Sequence, residues 1–270
     1  MKPAAHSDLP PERAQKAAQV QAMFGAIARR YDLLNGLLSA GFDRRWRAQA
    51  TRAAFRGLPQ GVPLRVLDVA TGTADLALAL KRARPQAEVV GVDFAEPMLA
   101  IGRRKARARG LSVRLELGDG LALPYGDAQF DVVTIAYGLR NFADIDRGLR
   151  EFLRVLRPGG RLVVLEFPPP PKGLFGRAFR FYFLRVLPRL GGLVSGRGSA
   201  YRYLPASVLA FPDPQALAAR IAAAGFVGVR FRLQTLGVSA LHTAFKPPLP
   251  APSGDAVQAP HAATDPKETP

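Results

Sequence analysis

Five short apolar runs recur through the middle of this chain, and they constrain its fold more than any other feature. Helix-like stretches separate them, and this alternation predicts an α/β domain with a mainly parallel sheet. A later stretch, residues 225–246, predicts two more strands joined by a tight turn at Leu236 and Gly237. We therefore expect a seven-stranded sheet with an antiparallel C-terminal hairpin and helices on both faces. The five runs are LRVLDVA (64–70), AEVVGVDF (87–94), SVRLELGD (112–119), FDVVTIAY (130–137) and RLVVLEF (161–167).

The two ends of the chain differ in composition from its middle. Residues 1–12 are polar and contain proline, and residues 247–270 are rich in proline, alanine and small polar residues. Both ends are predicted to be disordered. Residues 13–246 are predicted to form one domain, in which 168–212 is a basic, aromatic insertion that starts with four prolines.

Cysteine content and charge limit the classes of function. The chain has no cysteine, which excludes disulfides, thiolate metal sites and a cysteine nucleophile and fits a reducing compartment. It has neither a signal-peptide core nor an apolar run of about 20 residues, so we expect a cytoplasmic protein. The net charge of +17 indicates attraction to nucleic acid or to an anionic membrane leaflet, unless the basic residues merely solvate the surface.

The first apolar run leads through Asp68 into Thr71-Gly72-Thr73 and then into a helix-like stretch. Ligands of open parallel sheets bind outside the carboxyl ends of the strands, so this turn is the expected cofactor site. Gly72 would let the backbone approach a ligand closely. The turn matches neither GxGxxG nor a phosphate-binding GxxxxGK[ST] loop, which disfavours a dinucleotide or a triphosphate.

Acidic residues also close the second and third runs. The carboxylate of Asp93 is suited to accept hydrogen bonds from both hydroxyls of a ribose. Asp119 and Gly120, at the end of the third run, are suited to hold an adenine ring. Three acidic strand ends without phosphate-binding glycines favour S-adenosylmethionine as the cofactor. The alternative is that these aspartates only cap the helices that follow them.

Four further stretches of the sequence are distinctive: YDLLNGLLSAGFDRRW (31–46), LDVATGTADLA (67–77), YGLRNF (137–142) with RVLRPGGRLVVLEF (154–167), and YRYLPASV (201–208) with FPDPQALAARIAAAGF (211–226). Through them the chain resembles the ubiquinone/menaquinone biosynthesis C-methyltransferases, a family of Rossmann-like class I methyltransferases that depend on S-adenosylmethionine. The likeness extends over residues 24–246. It implies that Thr73 and Asp93 contact the cofactor, with Asp119 and Gly120 along its adenine. Alanine stands at 74, where many members have glycine.

The same resemblance implies C-methylation of a prenylated hydroquinone without a metal. Demethylmenaquinol is the favoured acceptor, and a prenyl-methoxybenzoquinol of ubiquinone biosynthesis is the alternative. Arg140 and Asn141, which follow the fourth run, are the predicted catalytic residues, because a cation and an amide would hold a hydroquinone oxygen and lower its pKa. Alternatively, Arg140 pairs with an acid such as Asp144. Secondary candidates for the acceptor pocket are Tyr31, Asp32, Asn35, Tyr201, Tyr203 and His242.

The insertion after the fifth run suggests how a lipid substrate is reached. Between residues 172 and 202, basic residues are interspersed in an aromatic, apolar stretch, and no acidic residue occurs from 167 to 212. This pattern is typical either of a segment at the inner face of a membrane or of a packed lid helix with a basic edge. A nucleic-acid methyltransferase is the competing class, but no proline-rich turn follows the fourth run, so we expect no nucleic-acid partner. A noncatalytic membrane-associated or nucleic-acid-binding protein that retains the fold is the other alternative. Oligomeric state is left open.

Overall fold

The computed structural model describes residues 11–12, 15, 18–25, 28, 39, 41–171, 173–182, 185 and 198–249. Its strands form one sheet, which confirms the predicted seven-stranded architecture. The strands are β1 Arg65–Val69, β2 Glu88–Asp93, β3 Arg114–Leu117, β4 Phe130–Ala136, β5 Leu156–Glu166, β6 Val227–Gln234 and β7 Ser239–Phe245. Their order is β3-β2-β1-β4-β5-β7-β6, with β1 to β5 parallel and β7 antiparallel to both its neighbours.

Helices cover both faces of this sheet, as predicted. The described helices are α1 Phe42–Phe55, α2 Asp75–Ala83, α3 Glu96–Ala108, α4 Ile145–Val155, α5 Leu174–Phe181, α6 Gly198–Leu209 and α7 Pro214–Ala223. The helices α1, α2 and α3 share one apolar core with the sheet, and α4 and α7 share the other. Among the described residues, no helix has both the length and the apolarity needed to cross a bilayer.

Burial on both faces explains why the strands appear in the sequence as continuous apolar runs. In β4, Val132 packs into one core and Val133 into the other, and neither is exposed to solvent. A parallel strand with helices on both sides needs apolar residues at every position, not at alternate ones. The pattern therefore identified these strands by length and composition, not by a period of two.

The start of β5 differs from the sequence expectation. The strand begins at Leu156, whereas the apolar run begins at Arg161. The intervening RPGG segment is held by backbone hydrogen bonds from Gly159 N to the Lys246 carbonyl (3.0 Å) and from Lys246 N to the Gly160 carbonyl (2.9 Å). Proline and glycine are typical of turns, so the local sequence does not indicate this pairing with a distant segment.

The C-terminal hairpin lies where it was expected. A 3₁₀ turn at Thr235–Gly237 joins β6 to β7, and it includes the predicted Leu236 and Gly237. Most of the two termini, residues 1–10 and 250–270, lie outside the described residues, so their disorder stays a prediction. The insertion of 168–212 is described only in part, through α5, α6 and short flanking segments.

Strand order fixes the place of the site. The chain leaves β1 for β2 and β3 in one direction and then returns to β4 and β5 on the other side. The connections after β1 and β4 therefore diverge at the carboxyl ends of two adjacent strands. Such a switch point leaves a crevice, where ligands of open α/β sheets bind.

Gly91 of β2 supports the loop after β1, and its replacement tests that packing. A Cβ at this position would lie 2.7 Å from Leu115 Cδ2 and 2.8 Å from Thr71 Oγ1. We expect Gly91→Ala to lower the free energy of unfolding by about 1–3 kcal/mol, since overpacked cores must shift backbone or side chains. Urea denaturation measures the change. Gly126→Ala is the control, because the added Cβ meets mainly the flexible Gln129 side chain; equal losses in the two variants would contradict the expectation.

Candidate functional site

A cleft at the switch point brings together several of the predicted site residues. Asp93, Asp119, Gly120 and Asn141 line it, although they come from three different strand ends. The other lining residues are Val20, Ala70, Val92, Phe94, Gly118, Leu121, Phe142 and Ala143.

The loop after β1 is built from backbone conformations that most residues avoid. Ala70, Gly72 and Ala74 all have positive φ, at +50°, +56° and +66°. Position 74, where the related family often has glycine, is thus in a conformation that glycine adopts at less cost than alanine. Gly72 N donates to Asp93 Oδ2 (2.8 Å), and Thr71 N donates to the Val92 carbonyl (3.0 Å). The loop is therefore fixed to the end of β2.

Asp68 and Thr73 support this loop and are not among the cleft-lining residues. The Asp68 carboxylate accepts hydrogen bonds from the hydroxyls of Thr71 (2.7 Å) and Thr134 (2.6 Å). Its burial raises its pKa from 3.8 to about 6. Thr73 Oγ1 accepts a hydrogen bond from Lys105 Nζ (2.8 Å). Asp68 and Thr73, which were both predicted to bind the cofactor, therefore lie where their hydrogen bonds hold the loop in shape.

Asp93 combines a structural bond with exposure to the cleft. Oδ1 accepts from Ala95 N and Oδ2 from Gly72 N, both at 2.8 Å. Each carboxylate oxygen has a second lone pair, so the group retains the capacity to accept from two ligand hydroxyls. Burial raises the pKa of Asp93 from 3.8 to about 6, and the backbone N–H groups act in the opposite direction.

The segment after β3 contributes the opposite wall of the cleft. Asp119 Oδ1 accepts from Leu121 N (2.9 Å), which turns the chain back towards the sheet. A Cβ at Gly120 would overlap the ring of Phe142, and one at Gly118 would lie 2.6 Å from Val92 Cγ2. Glycine is therefore required at both positions by packing around the cleft.

Arg140 pairs with Glu166, not with Asp144. It lies in a 3₁₀ turn, Leu139–Asn141, and Nη1 donates to Glu166 Oε2 (3.0 Å) and to the Tyr137 carbonyl. Arg140 N also donates to Glu166 Oε1 (3.2 Å). Both residues are buried, with 8% of Arg140 and 1% of Glu166 exposed. Asp144 instead caps α4 by accepting from Arg147 N (3.0 Å).

Asn141 connects this ion pair to the cleft. Its side-chain oxygen accepts from the Tyr203 hydroxyl (3.2 Å), and its amide lies 3.4 Å from the Tyr137 carbonyl. Burial raises the pKa of Tyr203, so its hydroxyl remains a hydrogen-bond donor at neutral pH. Tyr137 has a φ of +59° and stacks on Phe167 with ring centroids 4.5 Å apart. A polar cluster with one aromatic wall therefore adjoins the cleft.

Among the remaining secondary candidates, His242 is described and does not join this cluster. His242 lies on β7, where Nε2 is 2.9 Å from the Pro214 carbonyl and the ring packs against Phe231. Its burial lowers its pKa, which is typical of a structural histidine. Tyr31, Asp32, Asn35 and the side chain of Tyr201 lie outside the described residues.

Sequence reasoning missed Glu166, Phe142 and Val20. Glu166 ends the fifth apolar run as Asp93 ends the second, so the same rule of acidic strand ends would have identified it. Val20 lines the cleft from a helical segment at 18–25, which is held to β2 by a hydrogen bond from Gln21 Nε2 to the Phe94 carbonyl (2.7 Å). That segment carries no motif that would have indicated this contact.

Comparison with known proteins gives a consistent result. The model described as the ubiE/COQ5 methyltransferase family matches residues 12–246. A demethylmenaquinone methyltransferase of Thermus thermophilus is 63% identical over 225 residues, which cover 83% of this chain and 100% of that relative. A demethylmenaquinone methyltransferase of Deinococcus radiodurans is 56% identical over 230 residues, or 85% and 93% of the two chains. A ubiquinone/menaquinone biosynthesis C-methyltransferase of Geobacter sulfurreducens is 48% identical and covers 86% of this chain and 90% of its own.

Solved structures share the fold at lower sequence identity. A SAM-dependent methyltransferase of Thermotoga maritima superposes with a TM-score of 0.60 at 19% identity, covering 84% of this chain and 99% of that one. A phosphoethanolamine N-methyltransferase of Haemonchus contortus, solved with S-adenosyl-L-methionine, gives a TM-score of 0.56 at 14% identity, covering 74% and 52%. At these identities the likeness concerns the fold alone.

The raised pKa of Asp93 predicts a pH dependence of cofactor binding. The carboxylate accepts hydrogen bonds most strongly when ionised, and the ionised form is lost as the pH falls through about 6. We expect the affinity for S-adenosylmethionine to fall about tenfold between pH 7 and pH 5, in proportion to the ionised fraction. Calorimetric titration measures it. Asp93→Asn should bind weakly with little pH dependence; an unchanged slope in that variant would assign the titration to another group, such as Asp68.

Proposed function

Because the chain belongs to the ubiE/COQ5 methyltransferase family, as the match over residues 12–246 shows, we propose that it methylates a ring carbon of demethylmenaquinol. It is a methyltransferase that uses S-adenosylmethionine. One structural observation carries the proposal: Asn141 lies both in the cleft and in the cluster formed by Arg140, Glu166 and Tyr203. A cofactor site and an acceptor site that meet at one residue are what direct methyl transfer between two bound molecules requires.

The cleft suits the nucleoside part of S-adenosylmethionine. Asp93 offers carboxylate oxygens for the ribose hydroxyls, and Asp119 and Gly120 would hold the adenine in the cleft that Phe94 and Phe142 also line. The loop at 70–74 would enclose the remainder of the cofactor. When bound, the cofactor supplies a methyl group that its sulfonium already activates, so the protein needs no metal for this step.

The acceptor must be activated by its surroundings. A hydroquinone ring carbon becomes nucleophilic as the neighbouring hydroxyl loses its proton, and the same ring carbon later gives up its hydrogen as a proton. The protein must therefore stabilise a developing phenolate and hold the ring near the methyl group. Arg140 is suited to the first task because a guanidinium stays charged, but for that reason it is a poor general base.

Glu166 acts through Arg140 in this proposal. Its two carboxylate oxygens accept from Arg140 Nη1, Arg140 N and Phe167 N, at 2.9 to 3.2 Å. The guanidinium also lies 5.8 Å above the Phe167 ring. These contacts fix the arginine before substrate arrives, and preorganised donors stabilise charge in a transition state without reorganisation. We infer that Glu166 is a positioning residue.

Asn141 and Tyr203 are placed to orient the acceptor. The amide of Asn141 lies at the boundary of the two sites, and the hydroxyl of Tyr203 holds that amide in one orientation. A hydroquinone oxygen beside them would meet hydrogen-bonding groups on one side and the stacked rings of Tyr137 and Phe167 on the other. This arrangement suits a flat ring with oxygen substituents.

The relatives of highest reported identity favour the naphthoquinol over the benzoquinol. Two relatives named for demethylmenaquinone are 63% and 56% identical to this chain, whereas a relative named for both pathways is 48% identical. Prenyl-methoxybenzoquinol therefore remains the second acceptor to test. Nucleic acid has no comparable support among these relatives.

Access to a prenylated substrate favours contact with a membrane surface through the insertion. In α5, Leu174 is 83% exposed and Phe181 64% exposed, and Arg177 and Arg180 are exposed between them. Apolar side chains flanked by arginine suit the inner, anionic face of a membrane. We propose this peripheral location for the protein. Lys172, Arg189, Arg197 and the side chain of Arg202 lie outside the described residues.

An acceptor panel tests the proposed reaction. We expect labelled methyl to pass from S-adenosylmethionine to reduced demethylmenaquinone, more slowly to a reduced prenyl-methoxybenzoquinone, and not to bulk RNA. The oxidised quinones serve as controls and should remain unlabelled, because their rings are electron-poor. Labelling of RNA alone, or equal labelling of oxidised and reduced quinone, would contradict the proposal.

The role of Arg140 is tested with a substitution that keeps its charge. Arg140→Ala would leave Glu166 buried without its partner, which typically costs 3–5 kcal/mol, so a loss of activity would be ambiguous. Arg140→Lys retains a cation but loses the planar fork. We expect kcat to fall about 10²–10³-fold with the affinity for S-adenosylmethionine nearly unchanged. Arg150→Lys, on the exposed face of α4, is the matched control; parallel losses of binding and turnover would refute this division of roles.

A further inference from the structure

A second groove lies outside the cleft, on the side of the sheet that faces α1. The last turns of α1 form one wall, the edge strand β6 forms the other, and β7 forms the floor. Its lining residues are Gln49, Arg52, Ala53, Arg56, Arg161, Gly228, Arg230, Phe231, Arg232, Leu241, Thr243 and Phe245. Five of these are arginines, and none of them is acidic.

The arginines converge from three separate elements. Arg52 and Arg56 come from the end of α1, Arg161 from β5, and Arg230 with Arg232 from β6. Arg161 donates to the carbonyls of Ala53 (2.7 Å) and Ala54 (3.1 Å) and lies 5.0 Å above the Phe245 ring. Its burial and the charge of Arg56 lower its pKa, as expected when cations approach one another without an intervening anion.

Protection of a sheet edge does not account for this concentration of charge. Charged residues on an edge strand do prevent pairing with other chains, and β6 is such a strand. That role requires only Arg230 and Arg232, whereas Arg52, Arg56 and Arg161 face the same groove from elements that have no exposed edge. Like charges held together repel, so an arrangement of this kind suits a surface that receives an anion.

An exposed apolar residue lies beyond the groove, at the tip of the hairpin. Leu236 there is 74% exposed, and the tip is held to α1 by a hydrogen bond from Trp46 Nε1 to Thr235 Oγ1 (2.9 Å). Gly237 beside that tip lies against Pro171, so a Cβ added to Gly237 would stand 3.5 Å from the proline ring. Pro171 in turn shortly precedes α5. The arginines of the groove and the hairpin tip thus both adjoin α1.

We propose that this surface, formed by α1, β6 and the tip of the β6–β7 hairpin, docks on anionic phospholipid headgroups of a bilayer. Guanidinium groups bind phosphate through paired N–H donors and are weakly hydrated, so they suit a headgroup layer. Leu236 would enter the interface beside them. This surface is separate from the 172–202 insertion, and its docking does not depend on which acceptor is methylated.

Vesicle sedimentation with the full chain tests the proposal without any methyl acceptor. The probes are vesicles of phosphatidylcholine alone and of phosphatidylcholine with phosphatidylglycerol. We expect binding only to the second kind, decreasing with salt. Arg52→Gln/Arg230→Gln should weaken it roughly tenfold or more, since each basic residue near an anionic surface contributes about 1 kcal/mol.

The matched control is Arg82→Gln/Arg109→Gln. It removes the same charge, and Arg82 lies in the last turn of α2 as Arg52 lies in the last turn of α1. We expect this pair to retain most of the binding, and both variants to keep the wild-type unfolding temperature and methyl transfer to a detergent-dispersed quinol. Equal losses in the two pairs, no binding to phosphatidylglycerol, or binding of a single-stranded oligonucleotide in place of vesicles would each overturn the proposal. Absence of quinol methylation alone would count against the proposed function and not against this surface.

Discussion

The buried ion pair of Arg140 and Glu166 is the interaction on which the site depends. It joins the turn after β4 to the last residue of β5, with contacts of 3.0 to 3.2 Å through both the side chain and the backbone N–H of the arginine. Taking two such charges out of water is costly, and the attraction compensates only when most donors and acceptors are satisfied. The Tyr137 carbonyl accepts a further hydrogen bond from the arginine, and Phe167 N donates one to the glutamate. The pair is better understood as a device for orientation than as a source of stability.

The loop after β1 likewise holds unfavourable groups in place through the contacts around them. Two alanines with positive φ, Ala70 and Ala74, would be unfavourable in isolation, yet the Asp93 carboxylate and the β2 backbone hold their loop in place. Asp93 therefore does two things at once: it fixes Gly72 and presents lone pairs to the cleft. Its raised pKa follows from burial, which outweighs the opposing effect of the backbone N–H donors. Strain and desolvation are concentrated beside the cleft proposed for the cofactor, and the apolar cores on either side of the sheet offset them.

Charge is distributed unevenly over the rest of the molecule. Many surface arginines pair with acids, as Arg154 does with Glu151 and Asp127. The groove beside β6 is different, because its arginines face one another across β7, which contributes Phe245. The net charge of +17 is thus not spread evenly over the surface. Its effect depends on where the fold gathers cations that form no ion pair with the described acidic residues, as it does in this groove.

The sequence by itself determined the sheet and most of the cleft, because buried parallel strands must be apolar throughout and their acidic ends must meet at one edge. It also indicated Asp93, Asp119 and Gly120. The position of the switch point depends on the strand order, which the sequence left open. Tertiary structure alone decided that Arg140 pairs with Glu166 and not with Asp144, since the two are neighbours only through the pairing of β4 with β5. It likewise decided that Asp68 supports the loop from below. Local sequence encodes strand and turn, but contacts between distant residues depend on strand order and register.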